Sequence, residues 1–249
     1  MTIPSLDASG KVVVVAGGSK GLGLAMALGF AEAGADVVVA SRKREACEKV
    51  ADEVRAMDRR ALALECHVGD WDQCATLVDV TVAEFDRIDV LVNNAGIAPV
   101  PPSLLEVTAN LFDKTIAVNL KGPLRLIALA AEHMSPGGAV INISSKASLY
   151  PTPFTVVYAA AKAGLNALTK AAANELGPRG IRVNAIICGT FHTDSLHASL
   201  PSEEMRAQMA ANVALGRIAS ADEIVGTALY LASDASSYLT GELIVLDGG

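Results

Sequence analysis

Two side chains with complementary proton chemistry, Tyr158 and Lys162, stand four residues apart in an alanine-rich segment. That spacing places both on one face of a predicted helix, where they can contact the same ligand. A free tyrosine has a pKa near 10, and a neighbouring ammonium group lowers it by favouring the phenolate. The pair can therefore exchange a proton with a substrate oxygen, although a lone Tyr-xxx-Lys sequence is more often an ordinary surface pair.

A second candidate site is a glycine-rich turn early in the chain. Val12–Ala16 has the composition of a strand, the residues Gly17-Gly18-Ser19-Lys20-Gly21-Leu22-Gly23 follow it, and a predicted helix begins within them. Glycine allows a tight turn and a close approach of the backbone, while unpaired amides at a helix start attract phosphate. The turn predicts a dinucleotide-binding site, and the alternative is that its glycines serve the backbone alone.

Strands and helices alternate along the chain to position these residues. Seven β-branched runs predict strands, namely Val12–Val15, Val37–Val39, Ala61–Leu64, Ile88–Val92, Ala139–Ile143, Ile181–Ile187 and Leu243–Leu246. Six segments of helical spacing lie between them, namely Gly21–Ala33, Arg44–Met57, Trp71–Phe85, Ala109–His133, Val157–Leu176 and Asp222–Ala232. Strands without polar alternation are typical of a parallel sheet covered on both faces. We therefore expect an α/β Rossmann fold, a doubly wound seven-stranded parallel sheet with its ligand crevice at the carboxyl ends of the strands.

Length and composition allow one large domain. The chain has 249 residues, of which 51% are hydrophobic and 19% charged, so it can bury a sizeable core. We predict that residues 1–249 form a single dinucleotide-binding and catalytic domain, in which 190–212 is an inserted substrate lid carrying a short helix or two.

Charge and cysteine content exclude several classes of function. The net charge of −7 argues against a broad nucleic-acid or acidic-membrane surface. No apolar segment reaches the 18 residues that a membrane span needs, and the amino terminus lacks the basic and apolar parts of a secretory signal. We expect a cytoplasmic protein. Its four cysteines form no CxxC pair, so we expect reduced thiols and neither disulfide nor metal site.

Five motifs in fixed order resemble the short-chain dehydrogenase/reductase family. They are GxxxGxG from Gly17 to Gly23, Asn93-Asn94-Ala95-Gly96, Asn119 within VNLKG, Ser145, and Tyr158-Ala-Ala-Ala-Lys162. Ser145 is preferred to Ser144 because it stands 13 residues before Tyr158, the separation in the family pattern. The resemblance runs from the first strand to the carboxyl-terminal LIVLDGG.

The resemblance implies a role for each catalytic residue. Tyr158 would act as general acid and base, and Ser145 would hydrogen-bond the substrate oxygen. Lys162 would also hold the nicotinamide ribose, and Asn119 would anchor a water that links Lys162 to solvent.

The cofactor-binding residues follow from the same motifs. They are expected to be Gly17, Ser19, Lys20, Gly21, Leu22, Gly23, Ser41, Arg42, Lys43, Val68, Asn94, Ala95, Gly96, Tyr158, Lys162, Gly189 and Thr193. A dinucleotide fold that prefers NAD places an acid after the second strand, where this chain reads Ser41-Arg42-Lys43-Arg44. We therefore expect NADP(H), with a solvated basic turn as the alternative.

The sequence departs from the family pattern at three positions. Ala16 replaces a threonine before the first glycine, and His67 replaces an acid that commonly contacts adenine. Cys188 replaces a proline, which frees a backbone amide. A small buried thiol is preferred for Cys188 over a redox-sensitive one.

Together these observations predict an NADP(H)-dependent oxidoreductase that interconverts a carbonyl compound and an alcohol. An enoyl reductase is a rival, but that branch separates its tyrosine and lysine more widely. A non-catalytic NADP-sensing regulator is the other rival, and it would not need the serine.

Two further expectations concern the substrate and assembly. Apolar residues near the catalytic positions predict a small apolar carbonyl or alcohol substrate, and they are Leu149, Tyr150, Phe154, Phe191 and Leu196. The helices predicted at Ala109–His133 and Val157–Leu176 correspond to those that pair between subunits in the resembling family. That correspondence implies a homotetramer, with a dimer as the alternative.

Overall fold

Seven parallel strands form one sheet in the computed structural model, which describes residues 5–193, 196 and 202–249. The strands are β1 Val12–Ala16, β2 Asp36–Ser41, β3 Ala61–Glu65, β4 Val90–Asn93, β5 Ala139–Ser145, β6 Arg182–Cys188 and β7 Leu243–Leu246. Their spatial order is β3-β2-β1-β4-β5-β6-β7. The predicted doubly wound fold is confirmed.

Eight α-helices cover the sheet in the described part of the chain. They are α1 Gly21–Glu32, α2 Arg44–Arg55, α3 Trp71–Phe85, α4 Ala109–Ile116, α5 Gly122–Glu132, α6 Val156–Leu176, α7 Glu203–Ala211 and α8 Val225–Ala232. None of the helices that the structure describes is both long and apolar enough to cross a membrane.

The alternation of side chains along each strand feeds two separate cores. Val13 and Val15 of β1 pack with α1, α2 and α8 on one face of the sheet. Val12 and Val14 pack with α3, α5 and α6 on the other face. The strands contribute mainly aliphatic side chains to both cores, which explains why their sequences lack polar alternation.

The helix predicted over Ala109–His133 is not continuous, and the single-helix expectation is wrong. Its α4 and α5 portions are joined by a π-helical turn at Ala117–Lys121. A π turn admits one extra residue per turn and is frequent at functional sites. Within the predicted insertion 190–212, the described residues contain the helix α7, and Phe191 forms an isolated bridge with Ala219.

A buried hydrogen-bonded chain joins two strands and a helix beneath the carboxyl edge of the sheet. The Asn93 amide donates to Asn142 Oδ1 at 2.9 Å, and Asn142 Nδ2 donates to Thr169 Oγ1 at 2.9 Å. All three side chains are at most 3% exposed. These two hydrogen bonds fix β4, β5 and α6 relative to each other, because buried polar groups must keep their partners.

Candidate active site

The crevice of the sheet lies where the strand order reverses. β1 pairs with β2 on one side and with β4 on the other, so the connections after β1 and β4 leave in opposite directions. Ligands of doubly wound sheets bind at this reversal, beside the carboxyl ends of the strands.

The glycine turn occupies this position, and two of its glycines are sterically required. A Cβ on Gly17 would lie 2.6 Å from the Ala95 amide nitrogen, and one on Gly23 would lie 2.0 Å from the Gly17 carbonyl oxygen. Asn94 Nδ2 donates to that same Gly17 oxygen at 2.8 Å. Gly17 also has φ of +84°, which favours glycine. The turn is thus packed directly against the end of β4.

The start of α1 offers unpaired backbone donors. Among the described residues, the amides of Ser19, Gly21, Leu22 and Gly23 have no protein acceptor. The N-cap residue Lys20 makes no side-chain cap bond, and the first turn contains no acidic residue. Unpaired amides and the positive end of the helix dipole attract an anion, so the site suits a pyrophosphate.

Three cations lie on the rim of the turn. Lys20, Arg42 and Lys43 are all exposed, and none of them forms an ion pair within the described residues. Ser41, also predicted to contact the cofactor, lies at the end of β2 with its hydroxyl 3.0 Å from the Cys47 thiol. The arrangement leaves positive charge available to an anionic group at the end of β2.

The segments after β3 and β4 carry further residues that the sequence places at the cofactor. Val68 is buried beside Gly122, whose added Cβ would lie 2.3 Å from the Val68 carbonyl oxygen. His67 is exposed, and its backbone amide donates to Gln73 Oε1 at 2.8 Å. Gly96 is exposed, and a Cβ there would lie 3.0 Å from Asn119 Oδ1 and 3.7 Å from Lys162 Nζ. The NNAG segment therefore connects the glycine turn to two of the predicted catalytic residues.

Tyr158, Lys162 and Ser145 come together at the ends of β5 and α6. Lys162 is 3% exposed, its Nζ donates to the Ile143 carbonyl at 2.7 Å, and it lies 5.8 Å from the centre of the Tyr158 ring. Desolvation lowers the pKa of Lys162 to about 8. The two residues occupy one helix face, as their spacing predicts.

Burial raises the pKa of Tyr158 above its ordinary value, while a hydrogen bond with Ser145 acts in the lowering direction. In the chain by itself, desolvation therefore outweighs the lowering that we expected from the neighbouring ammonium. At neutral pH the phenol keeps its proton, which is the state that a general acid needs.

Asn119 lies within the π turn and is completely buried. Its Nδ2 donates to the Ile97 carbonyl at 2.8 Å and to the Thr115 carbonyl at 3.0 Å, and its Oδ1 accepts from the Ile97 amide at 3.3 Å. These bonds attach the π turn to the segment after β4. The widened turn is what brings this side chain next to Gly96.

The end of β6 completes the crevice. Gly189 lies against Asp247, because a Cβ on it would be 2.6 Å from the Asp247 Cα. Thr193 approaches the glycine turn, with its Cγ2 3.4 Å from the position of a Cβ on Gly21. Cys188 is buried, and desolvation raises the pKa of its thiol to about 12. The thiol form is therefore strongly favoured, in agreement with a small core side chain.

Three of the residues predicted to line an apolar pocket lie on the segment between Ser145 and Tyr158. Leu149, Tyr150 and Phe154 are exposed, at 42%, 67% and 61%. Phe191 does not belong to this lining: it is 5% exposed and packs in the core with α1 and α8, so that prediction is wrong. The Phe191 backbone forms an isolated parallel bridge with Ala219.

Sequence reasoning missed an ion pair beside Ser145, the predicted catalytic serine. Lys146, the residue after Ser145, lies 2.6 Å from Asp247 Oδ2, and this contact holds the pKa of Asp247 below its usual range. A cation directly after the serine motif and an acid in the terminal LDGG were the available signals. Among the described residues, no cluster of three His, Cys, Asp or Glu side chains could hold a metal ion.

Comparison with known proteins identifies the class. A family model described as enoyl-(acyl carrier protein) reductase matches residues 16–249. An L-rhamnose 1-dehydrogenase (NAD(P)(+)) from Azotobacter vinelandii is 38% identical over 246 residues, covering 96% of each chain. A 3-oxoacyl-(acyl-carrier-protein) reductase from Thermotoga maritima is 36% identical over 242 residues, covering 96% of this chain and 97% of the relative.

Solved structures agree with this classification. A short-chain dehydrogenase from Burkholderia cenocepacia, crystallised in complex with NADP, has a TM-score of 0.91 and 32% identity, covering 97% of this chain and 98% of that one. The chain therefore belongs to the short-chain dehydrogenase/reductase family of oxidoreductases.

The packing of Gly23 against Gly17 gives a direct test of the turn. Gly23→Ala should lower the free energy of unfolding by about 1–3 kcal/mol and weaken NADPH binding, because the new Cβ forces the turn to move. Chemical denaturation and NADPH titration measure both effects.

The matched control for this substitution is Gly226→Ala. An added Cβ at Gly226, within α8, meets nothing within 4 Å, so this variant should be stabilised by about 0.5–1 kcal/mol. A Gly23→Ala protein with unchanged stability and affinity would contradict the packing argument.

Proposed function

We propose that the chain is an NADP(H)-dependent oxidoreductase that interconverts a ketone or aldehyde and the corresponding alcohol. The observation that carries the proposal is the meeting of Tyr158, Ser145 and Lys162 in the same crevice as the glycine turn. The unpaired amides at α1 and the Gly17–Gly23 turn fit a dinucleotide. A bound nicotinamide would exchange a hydride with the substrate carbon.

The residues of this chain would manage the proton and the orientation. Ser145 hydrogen-bonds the substrate oxygen, and Tyr158 gives its proton to that oxygen as it becomes an alkoxide. In the oxidative direction the same group accepts the proton. Lys162 holds a buried positive charge beside the ring, which stabilises the phenolate left after transfer. Asn119 fixes the backbone next to Lys162, and we propose that a water bound there returns the proton to solvent.

Both rivals fit the site less well. A regulator that only senses NADP has no use for a serine hydroxyl placed where it lowers the pKa of Tyr158. The family model carries an enoyl-reductase description. The relative at 38% identity is instead named a dehydrogenase of L-rhamnose, and the one at 36% is named a reductase of a 3-oxoacyl group. A four-residue separation of Tyr158 and Lys162 also favours carbonyl chemistry.

The surroundings of Tyr158 favour an apolar substrate. Leu149, Tyr150 and Phe154 expose apolar surface on the segment between Ser145 and Tyr158. Lys146, which follows Ser145 directly, forms an ion pair with Asp247. A substrate carboxylate would therefore lack a free positive partner, and its desolvation would be uncompensated.

Replacement of the proposed acid tests the reaction. Tyr158→Phe should reduce kcat about a hundredfold to ten-thousandfold with unchanged NADPH affinity, because the hydroxyl moves the proton but does not hold the phosphates. The assay is NADPH consumption with bulky apolar, small polar and charged carbonyl compounds, and we expect the highest kcat/KM for the apolar group.

Tyr238→Phe is the matched control, since Tyr238 is fully exposed. Full activity of Tyr158→Phe would disprove the mechanism. Short keto acids as the best substrates would disprove the substrate class.

The unpaired cations at the end of β2 predict a preference for NADPH over NADH. Arg42→Asp should weaken NADPH binding about tenfold to a hundredfold, since a charge-assisted bond to the 2′-phosphate is lost, and should affect NADH much less. Titration of both cofactors measures the effect. Lys49→Asp, an exposed charge change on α2, is the control, and equal or tighter binding of NADH by the unmodified protein would refute the preference.

We also propose a homotetramer, with a dimer as the smaller alternative. Four alanines spaced three or four residues apart, Ala160, Ala163, Ala167 and Ala171, are exposed along α6, and Leu124 of α5 is 45% exposed. Small side chains allow two helices to approach closely, and an Ala167→Arg change should therefore dissociate the assembly. Light scattering measures this, and a stable monomer at micromolar concentration would contradict it.

A further inference from the structure

The backbone of Ser145 is attached to α6 by two consecutive side-chain hydrogen bonds. The Ser148 hydroxyl donates to the Ser145 carbonyl at 2.6 Å, and Asn166 Nδ2 donates to Ser148 Oγ at 2.8 Å. Ser148 ends the short 3-10 turn Lys146–Ser148 that follows β5, and Asn166 lies in the middle of α6. The reacting strand end is thus connected directly to the helix that carries Tyr158.

The donors in this connection are fixed by counting hydrogens. Ser148 has a single hydroxyl hydrogen, which the Ser145 carbonyl receives, so Ser148 Oγ can only accept from Asn166. Asn166 is 7% exposed, and its Oδ1 has no partner among the described residues. An unpartnered buried oxygen is costly. The Asn166 amide is therefore held in an orientation that leaves its oxygen without a partner among the described residues but lets its nitrogen donate to Ser148.

The same turn sets the direction of the Ser145 hydroxyl. Ser145 Oγ accepts from the Ala147 amide at 3.2 Å, so its single hydrogen remains available either to Tyr158 or, when substrate is bound, to the substrate oxygen. The position of the Ala147 amide depends on the turn that Ser148 closes. Loss of the Ser148 hydroxyl would free the Ser145 carbonyl and leave the turn with its backbone bonds from Leu149 and Tyr150 to the Lys146 carbonyl, so the Ala147 amide that orients the Ser145 hydroxyl would be held less firmly.

Tyr158, Lys162 and Asn166 follow each other at four-residue intervals on one face of α6. We propose that Asn166 and Ser148 are positioning residues that hold the Ser145 hydroxyl against Tyr158, an inference that rests on the proposed carbonyl–alcohol reaction. One helix face would then carry the acid, the ammonium and the amide that places the serine.

The pKa of Tyr158 is a measurement that distinguishes a positioning role for Ser148 and Asn166 from a purely structural one, because it depends on the groups that face the phenol. Lys162 faces it from α6, the Cys188 thiol from β6 and the Ser145 hydroxyl from β5. The hydrogen bond with Ser145 lowers the pKa of Tyr158 against the effect of burial. If Ser145 loses its orientation, that lowering weakens, and the pKa of Tyr158 must rise further.

The test compares Ser148→Ala, Ser148→Thr and Asn166→Ala with Ser237→Ala, a matched change of an exposed serine. Ser148→Ala should reduce kcat about fivefold to twentyfold with little change in the KM for NADPH, and should move the tyrosine limb of the pH–rate profile to higher pH. Ser148→Thr keeps the hydroxyl and should restore both. The double variant Ser148→Ala/Asn166→Ala should lose little more than either single variant, because the two side chains act in series.

A titration without turnover separates this inference from the proposed function. Isotope-labelled tyrosine, with the Tyr158 resonance assigned by Tyr158→Phe, reports the pKa of Tyr158 by NMR in the wild type and in each variant, while thermal unfolding monitors folding. A higher pKa in Ser148→Ala supports the inference even if no carbonyl compound is turned over, an outcome that would reject the proposed function alone. An unchanged tyrosine pKa overturns the inference, whether kcat stays at the wild-type value or falls together with stability.

Discussion

The buried chain from Asn93 through Asn142 to Thr169 is the constraint on which the geometry of the site depends. Leaving one of these side chains unpaired in the core would lower the free energy of unfolding by about 1–3 kcal/mol. This cost keeps β4, β5 and α6 from sliding relative to one another. β4 leads into the NNAG segment, β5 ends at Ser145, and α6 carries Tyr158 and Lys162. A polar connection one layer below the crevice therefore positions groups that the surrounding aliphatic packing alone would hold less specifically.

Burial shifts the pKa values of two neighbouring side chains, Tyr158 and Lys162, in opposite directions. Exclusion of water raises the pKa of Tyr158 and lowers that of Lys162 to about 8, because in both cases the charged form is the one disfavoured. The Ile143 carbonyl holds the lysine in place. The result is a phenol that keeps its proton at neutral pH beside an ammonium that, in the proposed reaction, would stabilise the phenolate left when that proton is transferred.

Local charge matters more than net charge in this protein. The chain carries −7 overall, yet the rim of the glycine turn presents Lys20, Arg42 and Lys43 without ion pairs among the described residues. Beside Ser145 the positive charge is compensated instead, because Asp247 forms an ion pair with Lys146. The crevice is thus cationic where phosphates would lie and nearly neutral where a substrate carbon would react.

The sequence by itself determined the seven strands, the glycine turn and the spacing of Tyr158 and Lys162, because β-branched runs, glycine conformations and four-residue helical repeats are local properties of a chain. Tertiary structure alone decided the rest. The π turn that carries Asn119 divides a segment whose residue pattern predicts one continuous helix, and Phe191, predicted to line the substrate pocket, packs in the core instead. The contacts of Asn166 with Ser148 and of Lys146 with Asp247 join residues remote in sequence, and such contacts depend on how strands and helices pack, which no short segment encodes.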